Sequence, residues 1–392
     1  MREIAIVAAR RTPMGGFLGA LADVPAPKLA STAIAAAMAD ARVPPDSIDT
    51  ALIGQVLSAG AGQAPARQAV LGAGLPQSIP CTTVSKVCGS GMQAILDAAA
   101  RIRVGEAALA LAGGMESMSR APHLLLQARR GQRMGDLRAV DHMVLDGLED
   151  AYETGAPMGR FAELCADRYG FSREAQDAWA MRSLGRALAA QESGAFAAEI
   201  APVTIAGRKG PVTVDRDEQP GLARPERIPL LKPAFKTDGS VTAASSASIS
   251  DGAAALVLAS AGAVQAQRLA PRAWIVGSAV HAQEPAWFST APIAAAGKLM
   301  DRLGWQVGDV DLWEVNEAFA VVAMAFVRDL GLDPDCVNVN GGASALGHPI
   351  GASGARIVVT LLHAMEARGA KRGIAAICIG GGEALALALE RD

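Results

Sequence analysis

Short β-rich runs alternate with helical ones along most of this chain, and that alternation is its strongest constraint. Strand candidates fall at 4–9, 51–57, 82–87, 107–112, 255–259, 274–280, 312–315, 337–340, 374–379 and 385–390. Helical candidates fall near 28–41, 90–104, 173–193, 292–303, 317–330 and 352–367. Such a pattern predicts α/β layers with largely buried sheets. The length of 392 residues suggests two or three domains. Apolar residues make up 51% and charged residues 19%, which suits a large core and excludes a disordered chain. The middle, about 119–250, breaks the alternation with Arg129, Arg130 and Arg133, then Pro157 and a Pro-rich stretch at 219–233. It reads as a large insertion of loops around the 173–193 helix.

A faint internal duplication runs through the rest. Val84-Ser-Lys-Val-Cys88-Gly-Ser-Gly91 leads from a strand into a helix, and a strand with Gly113-Gly114 follows. Val337-Asn-Val-Asn340-Gly-Gly leads to His348-Pro-Ile-Gly351-Ala-Ser-Gly354 and a helix, and a strand with Gly380-Gly-Gly382 follows. Two similar halves would set Cys88 and His348 at comparable strand-to-helix turns.

Composition narrows the function. The net charge is −3 and no basic block stands out, so nucleic acid is excluded as a partner. No apolar run reaches the roughly 18–20 residues that span a bilayer. The first residues enter a strand-like run without the charged and apolar regions of a signal peptide. Cys81, Cys88, Cys165, Cys336 and Cys378 are odd in number and irregular in spacing, which implies free thiols in a reducing cytoplasm. Neither CxxC nor HExxH occurs, so no metal site is expected.

The chemistry-bearing candidates sit in Gly-rich turns. Cys88 lies between a β-branched strand and the helix starting near Ser90. It reads either as a buried structural cysteine or as a thiol whose thiolate is stabilised at a helix N-terminus. His348, held between Gly347 and Pro349, is a surface turn histidine or a base working near neutral pH. Cys378 is a core cysteine or the neighbour of backbone N–H groups at Gly380–Gly382 that bind an oxyanion. Asn316, just before a helix, is an N-cap or orients a water or a carbonyl. Together a cysteine, a histidine and a second cysteine suit acyl transfer through a covalent thioester, with a proton moved at carbon.

Four segments then carry a family resemblance. Val87-Cys88-Gly-Ser-Gly91, Asn316-Glu-Ala-Phe319, Gly341-Gly-Ala-Ser-Ala-Leu-Gly-His348-Pro-Ile-Gly351-Ala-Ser-Gly-Ala-Arg356 and Cys378-Ile-Gly-Gly-Gly382 resemble the signature segments of the thiolases, in their order and spacing. Ile6-Val-Ala-Ala-Arg10-Arg-Thr-Pro13 and Gly113-Gly-Met-Glu-Ser-Met118 match as well, and the likeness covers essentially the whole chain.

The resemblance implies a five-layer α/β/α/β/α fold of two similar α/β halves with an inserted loop domain. The halves would be 1–118 plus 250–270 and 271–392, with a loop domain at 119–249 covering coenzyme A. It implies Cys88 as nucleophile, His348 as its base and Cys378 as the group moving the α-proton. Asn316 would hold a water in one oxyanion hole; the N–H groups of Cys88 and Gly380 would form the other. Met158, Ala243, Ser246, Ser248, Ala318 and Phe319 would bind substrate. Arg208, Lys209, Arg224 and Arg227 are candidates for the coenzyme A phosphates or a solvated charged face. Coenzyme A is then substrate and product rather than a permanently bound cofactor. Acetyl-CoA and 3-ketoacyl-CoA are the expected partners, in a homo-oligomer, dimer or tetramer.

Two departures bear on specificity. Many short-chain thiolases have His-Met-Gly where this chain has Pro157-Met158-Gly159. The pantetheine segment reads Val241-Thr-Ala-Ala-Ser-Ser-Ala-Ser248, with Ala247 where a serine is usual, so Ser246 or Ser248 would replace it. The Ser-rich segment and the Gly380–Glu383 ending resemble acetyl-CoA-forming members of the family, which implies a short-chain acetyltransferase. The alternatives are a β-oxidation thiolase for longer 3-ketoacyl-CoAs, a carrier-protein-dependent ketoacyl synthase, which the Cys378 motif opposes, and a non-catalytic coenzyme A- or lipid-binding relative.

Overall fold

A computed structural model describes residues 3–207 and 210–392. Its main sheet is built from nine long strands: β1 (Ile4–Arg11), β2 (Thr50–Gly54), β3 (Cys81–Val84), β4 (Leu109–Ser117), β5 (Ser250–Ser260), β6 (Ala273–Ala282), β7 (Leu312–Val315), β8 (Arg372–Ile379) and β9 (Glu383–Glu390). The first half runs β3-β2-β4-β5-β1, and the second runs β7-β8-β9-β6. Strands β3, β2 and β4 are parallel, while β5 is antiparallel to β4 and β1. The second half repeats this with β7 and β8 parallel and β9 antiparallel to β8 and β6. Strands β1 and β6 join the halves antiparallel, with Ile4 opposite Ile275.

The duplication is thus a repeat of strand order and sense. One piece differs from expectation. The predicted strand at 337–340 survives only as a single parallel bridge between Val337 and Trp313, at the place that β3 occupies in the first half. The chain turns away because Asn338 takes a left-handed φ of 48°. Its side chain does a strand's work instead: Oδ1 accepts from Val315 N at 2.7 Å, and Nδ2 donates to Val315 O at 2.9 Å.

Five layers follow from which faces are apolar. Helices α1 (Ala26–Ala41) and α2 (Pro65–Gly72) cover the outer face of the first half. Helix α3 (Ser90–Arg103), together with α8 (Ile350–Arg368), forms the central layer against the inner faces of both halves. Helices α6 (Ala291–Leu303) and α7 (Ala320–Leu330) cover the outer face of the second half. The central helices are small-residue rich because two sheets close on them. All of α8 from Ile350 to Met365 is buried.

The middle holds more helix than expected. Besides α5 (Arg173–Glu192), it contains α4 (Met158–Tyr169), started by Pro157 at the N-cap and stopped by Gly170 in the left-handed region. Gly113 and Gly114 lie inside β4, not in a turn after it. No helix among the described residues is long and apolar enough to cross a membrane.

Candidate active site

Helices α3 and α8 meet at their N-terminal turns. A Cβ on Gly91 would sit 3.0 Å from Gly351 O, so the close approach needs glycine there. The contact brings the residues just before the two helices, Cys88 and His348, to the same end of the central layer. Val87 carries a left-handed φ of 45°, an outlier for a β-branched residue that turns the chain abruptly into Cys88.

The backbone N–H groups of Cys88 and Gly380 lie near enough to the Cys88 sulfur to favour its thiolate. Gly380 begins the turn between β8 and β9, in which Gly381 and Gly382 have φ of 90° and 86°, a region closed to most side chains. Cys378, buried at the end of β8, is close enough to Cys88 to feel its charge.

Burial pushes the Cys88 thiol up to about 11, against the pull of these two N–H groups, and the Glu116 carboxylate adds to the rise. Where the sequence suggested a thiolate stabilised at rest by the start of α3, desolvation exceeds the pull of the two N–H groups and favours a thiol. Burial, then the Cys88 charge, raises Cys378 well above the ordinary thiol range. Burial lowers His348 to about 3, with the Arg356 charge adding to the effect. At neutral pH the site therefore rests as two thiols and a neutral imidazole.

His348 Nδ1 is 2.6 Å from Ser353 Oγ, while Nε2 has no hydrogen-bond partner among the described residues. Its backbone N–H donates to Ser248 O at 3.0 Å and Ser250 Oγ at 3.2 Å. Asn316 is fully buried, with no partner for either amide atom among the described residues. It is not the cap of a helix starting at 317, because α7 begins at Ala320 with Phe319 as N-cap. Residues 316–319 lie outside the helix instead: Phe319, in extended conformation, bridges Ser246, and Ala247 N donates to Ala318 O at 3.0 Å.

Met158, at the first turn of α4, lies against Gly380, with Cε 3.7 Å from where a Cβ would be. Cys88 packs against a buried apolar cluster of Leu57, Met118, Met143 and Ile350. A separate cavity of about 360 Å³ is lined by Ala243, Ala244, Ser246 and Ser248 on one side and by Leu184, Leu231, Arg224 and Arg227 on the other. Ser246 Oγ donates to Thr242 O at 2.7 Å, and Ser248 Oγ lies 3.2 Å from Ser250 Oγ. The structure thus brings Cys88, Gly380, Cys378 and Met158 together. The segment 243–248 runs from the cavity wall to the His348 backbone. Arg208 and Lys209 lie outside the described residues.

Family models match in two consecutive pieces: the thiolase N-terminal domain over residues 4–262 and the thiolase C-terminal domain over residues 269–391. This chain belongs to the thiolase family. Thiolases are acyltransferase enzymes, and so is this one. It is 50% identical to acetyl-CoA acetyltransferase from Chromobacterium violaceum, over 99% of this chain and 100% of that one. It is 51% identical to acetyl-CoA acetyltransferase 2 from Arabidopsis thaliana, over 99% and 97%. The fold matches the crystal structure of Acat5 thiolase from Ascaris suum in complex with coenzyme A, with a TM-score of 0.94, 42% identity and full coverage of both chains.

Sequence reasoning missed several groups that hold this thiolase site together. Glu317 is buried and accepts from Trp179 Nε1, Ser183 Oγ, Asn338 Nδ2 and Ser344 N at 2.8–3.2 Å. Glu116 accepts from the backbone N–H groups of Val56, Leu57 and Gly351 at 3.0–3.2 Å, tying α8 to the first half. The only available signal was their placement inside the family segments 316–319 and 113–118.

Proposed function

We propose that this thiolase is an acetyl-CoA C-acetyltransferase, joining two acetyl-CoA into acetoacetyl-CoA and coenzyme A, and running the reverse thiolysis. The observation that supports the reading is the placement of the Cys88 and Gly380 N–H groups near the Cys88 sulfur, with Cys378 beside it. Donors fixed there stabilise an oxyanion that forms on a carbonyl attached to, or attacked by, that sulfur.

The chemistry runs in two halves. Cys88 attacks the thioester carbon of acetyl-CoA as its proton passes to His348 Nε2. Coenzyme A leaves as a thiol, taking that proton, and Cys88 is left acetylated. In the second half Cys378, once its resting thiol proton has been lost to solvent, removes as a thiolate a proton from the methyl carbon of a second acetyl-CoA. A water shared by Asn316 and His348 Nε2 steadies the enolate oxygen, a role that fits two buried polar groups without protein partners. The carbanion attacks the Cys88 thioester. Acetoacetyl-CoA departs, and the Cys378 proton returns to the Cys88 sulfur. Acyl-enzyme forms before the second substrate reacts, so kinetics are ping-pong.

Coenzyme A takes the cavity along residues 243–248, with pantetheine passing Ala243, Ser246, Ser248, Ala318 and Phe319. Arg224 and Arg227 face its phosphates from the cavity wall. Residues 119–249 act as the loop domain over it, between halves at 1–118 plus 250–270 and 271–392. The enzyme acts in the cytoplasm, in acyl-CoA metabolism, as a homo-oligomer, for which a tetramer is the proposed form. Exposed Leu125, Leu126, Met134 and Leu137 support assembly.

The test is incubation with acetyl-CoA followed by peptide mass mapping. Acetyl on Cys88, together with turnover of acetoacetyl-CoA by free coenzyme A, is expected. Acetyl on another cysteine in an active preparation rejects the assignment.

A further inference from the structure

A base must present a lone pair, not a hydrogen, to the proton it takes. Imidazole has two nitrogens and, when neutral, one hydrogen, so the partner of one nitrogen decides the state of the other. At His348 only Nδ1 is engaged, by Ser353 Oγ at 2.6 Å. Ser353 is fully buried in the first turn of α8, five residues on.

The Ser353 hydroxyl carries a single hydrogen, and it is committed. It donates to Pro349 O at 2.9 Å, the backward bond that serines in helices commonly make to the fourth residue before them. Oγ can then only accept, so the hydrogen between the two residues belongs to Nδ1. The opposite tautomer would leave a hydrogen on buried Nε2, where no acceptor among the described residues receives it. It would also free the serine hydrogen from Pro349.

We infer that Ser353 is a positioning residue of the reaction: its hydroxyl holds the His348 hydrogen on Nδ1 and so leaves Nε2 with the lone pair that a base needs. The same bond matters more once Nε2 has taken the thiol proton. The imidazolium then forms in a buried site where its charge is disfavoured. Its Nδ1–H already has an acceptor, and a bond to a charged donor is stronger than one to a neutral donor. Ser353 thus acts by setting the tautomer before transfer and by supporting the cation after it. The inference rests on the proposed role of His348 as the base for Cys88.

Two measurements test it. In wild-type protein labelled with ¹⁵N-histidine, the His348 signals, assigned by loss in His348→Asn, should show a protonated Nδ1 and a bare Nε2 at neutral pH. A protonated Nε2 overturns the inference, whatever the enzyme's activity. In Ser353→Ala, acetylation of Cys88 measured in a single turnover should slow by on the order of 10- to 100-fold. Acetyl-CoA affinity should stay unchanged, and His348 should show mixed tautomers. A rate within twofold of wild type overturns the inference. So does a slow variant that keeps the pure Nδ1–H tautomer and melts early, because that is a packing defect. If Ser353→Ala does not fold, the wild-type spectrum decides alone. If wild-type Cys88 is never acetylated, it is the proposed function that fails, while the tautomer is still read directly.

Discussion

Lys86, two residues ahead of Cys88, is ion-paired to Glu383, the residue that closes the Gly380–Gly382 turn. The pair ties the turn before Cys88, the proposed nucleophile, to the Gly380–Gly382 turn, the proposed oxyanion site, of the other half. Both side chains are only half-buried, so the pair adds less than about 1 kcal/mol to stability. Its value is in register. A shift of even 1 Å between Cys88 and the Gly380 N–H would weaken the fixed donor at the reacting carbon. Lys86→Ala and Glu383→Ala should therefore lower kcat for acetoacetyl-CoA cleavage by roughly tenfold while leaving the melting temperature nearly unchanged. The exchanged pair Lys86→Glu with Glu383→Lys should recover much of the loss. Melting that falls in step with activity would show a stability effect instead.

The two cysteines should fail differently. Cys88→Ala removes the attacking sulfur and should abolish both acetylation and turnover. Cys378→Ala removes only the group proposed to move the α-proton, so Cys88 should still become acetylated while bond formation falls by on the order of 10²- to 10⁴-fold. Mass mapping after acetyl-CoA, alongside a thiolysis assay, separates the two. Near wild-type turnover in Cys378→Ala would remove it from the mechanism.

Titration should report the resting thiol. With Cys88 raised to about 11, its thiolate should be almost absent at neutral pH in the substrate-free enzyme. The absorbance at 240 nm of wild type minus Cys88→Ser should stay flat to about pH 9 and rise above it. A step near pH 7 would mean the helix terminus outweighs burial after all. His348 gives the complementary sign on the acid side. Its folded value, about 3, lies below the ordinary 6.5, so between these values the unfolded chain binds the proton that the folded one refuses. Stability should fall as pH drops through that window, and His348→Asn should flatten the slope in urea melts.

How much of this was legible in the sequence depends on whether a group's partners are near it in the chain. The strands and most helices were visible, because apolar periodicity is local. Cys88 and His348 stood out as candidates because each sits beside glycines at a turn into a helix, and Cys378 because three glycines follow the end of its strand. The strand expected at 337–340 was not realised, because the Asn338 side chain supplies the two bonds to Val315 that a strand would have made. Asn316 looked like a helix cap, yet pairing of Phe319 with Ser246 and of Ala318 with Ala247 holds these residues out of the helix, which starts at Ala320. Glu317 looked like an acidic residue in a helix's first turn. Its partners Trp179 and Ser183 lie more than a hundred residues away, so only the folded chain reveals it as a buried hub. The rise of the Cys88 thiol was hidden for the same reason: the start of α3 is local, whereas the apolar clusters that Cys88 packs against are built from elements distant in the chain.

Substrate length should be set at Met158. Its side chain lies against Gly380, the residue whose N–H reaches the Cys88 sulfur. An acyl group on that sulfur would therefore meet a thioether and the apolar cluster of Leu57, Met118, Met143 and Ile350 that Cys88 packs against. Pro157 fixes the backbone at the start of α4 and offers no side-chain donor, so shape and not hydrogen bonding decides what fits. Methionine is flexible, and each extra methylene against such a cluster changes discrimination by about 1–3 kcal/mol, so the preference should be graded. For wild type, kcat/KM across a 3-ketoacyl-CoA series should be highest for acetoacetyl-CoA and fall with each added pair of carbons. Met158→Ala should shift the maximum toward longer chains by removing the end of the pocket, with Cys88 acetylation retained. A wild-type maximum at eight carbons or longer would place the enzyme among the thiolases of β-oxidation, and a Met158→Ala profile identical to wild type would put the end of the pocket elsewhere.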